Sequence, residues 1–251
     1  MTNDNIETRP AGRLRPEPAW PAQLRLPGQA ASPEGPVDMY MMYLMHFGFR
    51  RDLAAFAAAA AATPIADRDT WDALAKRWEV FAEILHHHHS GEDAGLWPLL
   101  MERTDDAGRE VLEAMEAEHG EIDPILRSCG AGFAKLAAAG DEDTRNALVV
   151  RLCAGKESLG RHLAHEETDA MRVLQAHFRQ EDWDAIDERF KEGITFSRIV
   201  TLVPWALHEV PTVALPDLFA RTGAAHKVIW RLTRRRFARA EARAFRYAPR
   251  R

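Results

Sequence analysis

Six side chains of this sequence could hold metal ions if the fold brought them together: His46, His88, Glu92, His119, His162 and Glu166. Two pairs share a spacing. His88 with Glu92, and His162 with Glu166, stand four residues apart, which on a helix puts both side chains on one face. Imidazole nitrogen and carboxylate oxygen form a ligand set suited to iron, manganese or zinc. One histidine on an apolar helix face is ordinarily a hydrogen-bonded core residue. Two carboxylates and four imidazoles buried together are different, because without compensation they destabilise a core severely. Divalent cations supply that compensation.

The elements that must position these residues are helices. Apolar residues recur at spacings of three and four over roughly 38–62, 69–103, 105–139 and 142–177, and no strand-like alternation of useful length occurs. The expected fold is all-α, an up-down four-helix bundle. Asp38, Asp69, Asp105 and Asp141 are the expected starts, with Thr63-Pro64 and Ala139-Gly140 as stops. The core-facing seam of the second helix runs through Leu85, His88, Glu92, Gly95 and Leu99. That of the fourth runs through Leu159, His162, Glu166, Asp169 and Val173. His46 and His119 occupy the matching places on the first and third. In an up-down bundle the second and fourth helices lie parallel and diagonal, so their glutamates face one another and can each bridge two metals. The histidines then divide between the metals, leaving open positions for oxygen, nitric oxide, peroxide or water.

Residues 38–177 resemble the haemerythrin-like, or HHE cation-binding, family. The resemblance rests on His46 with Arg50 and Arg51, on HHSGEDAGLWPLL (88–100), on EAEHGEIDPIL (116–126) and on GRHLAHEETDAM (160–171). It implies a diiron site, two iron ions bridged by carboxylates and an oxo or hydroxo group, with zinc or manganese less favoured. The family's ligands fall on the six residues that the seams select. The sequence departs from the oxygen-carrying members, which have a second histidine where this chain has Asp123 and His-x-x-x-x-Asp where it has His162-x-x-x-Glu166. Simple reversible oxygen carriage is therefore not implied. Asp123 is expected to accept a hydrogen bond from a ligand histidine. His89 and His165 neighbour the ligand positions; each reads first as a partly exposed helix-face histidine, with hydrogen-bonding a ligand, relaying protons or lining the access path as the alternative. Ferritin-like carboxylate proteins use the order Glu-x-x-His, which the seams lack.

The rest of the chain bounds the function. A net charge of −5 points to no polyanion, and nucleic acid is not an expected partner. Two cysteines imply no disulfide framework and suit a reducing, cytoplasmic setting. No segment reads as a signal peptide or a membrane span. Residues 1–36 hold half of the 14 prolines and read as an arm, draped on the domain or disordered. Residues 37–178 are the expected bundle. Residues 179–251, rich in aromatics and arginine, read as further helices that pack on the bundle or form a homodimer contact. Two functions fit: a protein that binds or reacts with a small diatomic or peroxide, or a diiron oxidase, oxygenase or peroxidase acting on an organic substrate or hydrogen peroxide. An apolar pocket touching the metals would mark the enzyme.

Overall fold

Good helix formers and well-placed caps cut the chain into rods. The computed structural model describes residues 20–192 and 194–249 and contains no strand among them. The first four α-helices are α1 (Tyr40–Ala62), α2 (Arg68–Gly91), α3 (Trp97–Met101) and α4 (Asp106–Ala139). Next come α5 (Glu142–His165) and α6 (Met171–His177). A π-helical turn, Glu92–Leu96, joins α2 to α3, and another, Glu166–Ala170, joins α5 to α6. The outcome is four long rods, as expected.

The ends obey capping chemistry with two corrections. Asp105 accepts from the Gly108 N–H at 3.0 Å and Asp141 from the Thr144 N–H at 2.8 Å. The cap of α2 is Asp67, not Asp69: its carboxylate takes the Thr70 N–H at 3.1 Å, and Asp69 sits in the first turn. Asp38 does not cap α1 in the usual way. Its side chain reaches only the Tyr40 N–H, at 3.3 Å, and pairs with Arg221.

The seams shift by one residue beyond each glutamate. Leu96 and Leu100 are buried where the unbroken period places Gly95 and Leu99. Likewise Ala170 and Leu174 are buried in place of Asp169 and Val173. The π turns are the cause. The Trp97 N–H reaches back to the Glu92 carbonyl, and the Met171 N–H to the Glu166 carbonyl, five residues away instead of four. Each turn so inserts one residue, and such insertions occur often at functional sites.

Around the bundle, α1 packs on α5, α5 on α4 and α4 on α2; α1 and α2 touch least. The C-terminal helices fill that weak face. They are α7 (Gln180–Lys191), α8 (Phe196–Ala206), α9 (Leu215–Thr222) and α10 (Ala224–Ala244). Trp205 of α8 is fully buried against Phe49, ring centroids 5.5 Å apart. Gly48 makes room for it, since a Cβ there would lie 2.7 Å from the indole. The indole Nε1–H donates to Asp52 Oδ2 at 2.7 Å. Asp52 also receives Arg51 on Oδ1 and Arg77 on Oδ2, while Arg77 Nε donates to Glu241 of α10 at 2.5 Å. Packing on the bundle is thus the role the structure shows for this extension. The described part of the N-terminal arm is draped on the bundle: Leu24 and Leu26 are buried, and the Val37 N–H donates to Gln175 Oε1 at 2.9 Å. Residues 1–19 of the expected arm lie outside the described residues. No described helix is long and apolar enough to cross a membrane.

Burial alone would raise the Asp52 carboxyl, but Arg51, Arg77 and the Trp205 indole overcome it and hold it below the usual range. The sign follows: a depressed folded value adds stability above the ordinary carboxylate range, and that stability is lost as the pH falls through the folded value. Asp52→Ala, which removes the carboxylate shared by two buried guanidinium groups, should cost about 3–5 kcal/mol in urea unfolding near neutral pH. Asp52→Asn should remove part of the stability lost as the pH falls through and below the ordinary carboxylate range. An unchanged pH profile for the asparagine variant would show that the network contributes no such linkage.

Candidate metal centre

Three of the six candidate side chains are clamped from outside by a carboxylate on another rod. His46 Nδ1 lies 2.9 Å from Glu167 Oε1, His119 Nδ1 lies 2.8 Å from Asp93 Oδ1, and His162 Nδ1 lies 2.8 Å from Glu118 Oε2. A carboxylate can only accept, so each Nδ1 carries a proton, and in the neutral ring Nε2 keeps a lone pair facing inward. Carboxylate–histidine pairs of this kind fix the ring and raise the basicity of the inner nitrogen. Glu167 is itself gripped, by both Arg50 nitrogens at 2.6 and 2.9 Å and by the Ala30 N–H at 2.7 Å.

The inner atoms converge on two adjacent points. His46, His88, Glu92 and Glu166 offer ligand atoms within 4.8 Å of one another, and so do His89, His119 and His162. The two glutamates stand between these groups. Glu92 turns Oε1 to His88 Nε2 at 3.1 Å and Oε2 to His119 Nε2 at 3.7 Å. Glu166 Oε2 lies 3.2 Å from His46 Nε2 and 3.7 Å from His162 Nε2. Both glutamates and His46 are wholly buried.

These atoms sit close without satisfying one another. His46 Nε2, His88 Nε2 and all four carboxylate oxygens of Glu92 and Glu166 are buried with no hydrogen-bond partner among the described residues. Orphaned polar atoms of this kind are costly and rare. Across the second group, His119 Nε2 and His162 Nε2 face each other at 3.1 Å. With both outer nitrogens already protonated, two lone pairs meet there unless a cation or an extra proton lies between them. Two ligands about 2.1 Å from one metal, at right-angled to tetrahedral spacing, would stand roughly 3.0–3.4 Å apart. The tightest contacts, 3.1, 3.2 and 3.1 Å, fall in that range. The donor set fits a metal.

A family model, the hemerythrin HHE cation binding domain, matches residues 38–183. The chain belongs to this haemerythrin family. No curated protein and no solved structure matches the chain. The bundle is accordingly a cation-binding domain, and the match ends within α7, so the later helices are additions to it.

Its buried charges show what the site needs. Burial alone would lower His46, yet Glu166 and Glu167 on either side raise it to about 9. His88 is driven well below its ordinary value by burial and the His46 charge. Glu92 is pushed well above the carboxylate range by burial and by Glu166. Glu166 goes the other way: burial opposes ionisation, but His46, His162 and His88 hold the carboxyl far down. Without a metal, then, one proton must stay on His46 and another on Glu92 to hold charge down.

All six candidate ligand residues come together, with every imidazole side chain among them under 10 % exposed. Asp123 stands 3.8 Å from His89, not against one of the four seam histidines. His165 pairs with none of the six candidate ligands; it shares Glu118 with His162, through Nδ1 at 2.9 Å, has Nε2 3.7 Å from Asp169, and is about one-third exposed. Sequence reasoning missed Asp93, Glu118 and Glu167. A signal was present: each is the immediate neighbour of a seam residue, next to Glu92, His119 and Glu166 in turn, and serves the histidine of a different rod. Glu167→Ala should destabilise the metal-free protein by about 3–5 kcal/mol, since it strands Arg50 and a charged His46. Urea unfolding measures this, and a loss as small as that of an exposed glutamate would refute the clamp.

Proposed function

We propose that this protein is a non-haem diiron protein that binds or reacts with a small oxidant or diatomic such as oxygen, nitric oxide or peroxide. The observation that carries the reading is the placement of Glu92 and Glu166 between the two ligand groups, each with contacts to both. In this reading His46 and His88 would hold one iron and His119 and His162 the other, with Glu92 and Glu166 shared between them. Two irons so held would supply two-electron redox chemistry to one small molecule.

The protein's own contribution is orientation and exclusion. Asp93, Glu118 and Glu167 keep the proton on the outer nitrogens, so the inner ones remain donors. Phe49 covers His88 at 5.1 Å between ring centroids, and Trp205 backs Phe49, which keeps bulk water from that side. Glu118 links His162 to the partly exposed His165, a route by which a proton can reach the surface. The two cavities found are lined elsewhere, one by Arg50, Leu53, Lys156, Leu159 and Gly160 and the other by residues of α2 and α8 with Thr195.

Glu92→Ala and Glu166→Ala should each lower iron content by at least half in elemental analysis, whereas His86→Ala, at an exposed position, should leave it unchanged. Equal iron in all three variants would refute the ligand assignment. The reduced, iron-loaded protein should develop near-ultraviolet absorption on adding oxygen or hydrogen peroxide. A protein that retains zinc in preference to iron and stays spectroscopically silent with both oxidants would leave only a structural metal.

A further inference from the structure

We propose that His89 is itself a metal ligand, the third imidazole of the half-site formed by His119 and His162, and that Asp123 is its outer carboxylate. The inference rests on the dimetal reading above and concerns a residue outside the six seam positions.

His89 is an anomaly as a core residue. It is 2 % exposed, and neither ring nitrogen has a hydrogen-bond partner among the described residues. A structural histidine in such a place would be satisfied. Its ring lies parallel to His119, with centroids 3.9 Å apart and 12° between planes, and edge-on to His162 at 5.5 Å. With those two it forms a group of nitrogens all within 4.8 Å of one another. The three inner nitrogens gather near one point, two of them already facing lone pair to lone pair; a cation held there by His119 and His162 would take His89 as well once the His89 ring tilts out of its stack on His119.

The outer side of His89 also faces a carboxylate, though beyond hydrogen-bond distance. His46, His119 and His162 each turn Nδ1 to a carboxylate of the next rod. His89 turns Nδ1 to Asp123 of α4, at 3.8 Å, which leaves Nε2 as the inner atom. The His89 ring holds the Asp123 carboxyl below its usual range, with Arg127 adding to the effect. Consecutive residues on a helix point about 100° apart. His88 and His89 can therefore serve different metals from one turn of α2, giving two histidines to the first ion and three to the second. The sixth and seventh protein groups are the shared glutamates.

The test uses the full chain loaded with ferrous iron without oxygen, then dialysed and analysed for iron per chain, with Mössbauer spectra of the same samples. The wild type should hold about two irons in two environments. His89→Ala should drop to about one, keeping the signal of the ion bound by His46 and His88. His89→Asn serves as a second variant should the alanine protein fail to fold. Asp123→Ala should weaken the second iron about 10–100-fold. Asp123→His placed in the His89→Ala background should restore the second iron, because position 123 lies one helical turn beyond His119 on the same face of α4. Two irons with unaltered spectra in the His89 variants would overturn this proposal and leave the dimetal reading standing. Fewer than two irons in the wild type would overturn that reading and this proposal with it.

Discussion

Two carboxylates with no access to water, surrounded by imidazoles, are the constraint on which this protein is built. Glu92 and Glu166 have no hydrogen-bond partner among the described residues, so the field of a cation or of a protonated histidine must hold their charge. The outer acids follow from that demand. Each imidazole must present its inner nitrogen at a fixed angle, and a carboxylate on the outer nitrogen sets both tautomer and orientation. Because each acid comes from a different rod than the histidine it serves, the same contacts tie the rods together. Asp93 links the π turn after α2 to α4, Glu118 links α4 to α5, and Glu167 links the turn after α5 to α1. Positioning the ligands and closing the bundle are one set of interactions.

The fourth junction, between α1 and α2, has no equivalent pair, and there the C-terminal extension takes over. Asp52, Arg51 and Arg77 form a buried charge group completed from outside the bundle, by the Trp205 indole and by Glu241. Trp205 then supports Phe49, and Phe49 covers His88. The extension so bears on the metal centre through two aromatic rings. The arm does similar work, with the Ala30 N–H donating to Glu167. Segments outside the four rods thus hold two residues that frame the site.

Much of this was legible in the sequence because it depends on periodicity. The four rods, the all-α class and the convergence of His46, His88, Glu92, His119, His162 and Glu166 follow from apolar spacing interrupted at one level. The π turns were not legible, since Glu92–Leu96 differs from an ordinary helical turn only by one extra residue per turn, and its composition gives no warning. Their effect was a seam displaced from Gly95 to Leu96 and from Asp169 to Ala170. Asp93, Glu118 and Glu167 were hidden for another reason: on a helical wheel they lie beside the seam and read as solvated acids. Only the neighbouring rod reveals their partner. The match of Asp123 to His89, and not to a seam histidine, likewise depends on how α2 and α4 pack.

The central claim is that Glu92 and Glu166 each touch two metals. Anomalous diffraction at the iron edge from crystals of the iron-loaded protein tests it directly. The account predicts two iron peaks within one site, with Glu92 and Glu166 each placing carboxylate oxygen about 2.0–2.2 Å from both. A single iron peak, or two peaks with either glutamate bound to only one of them, would contradict it.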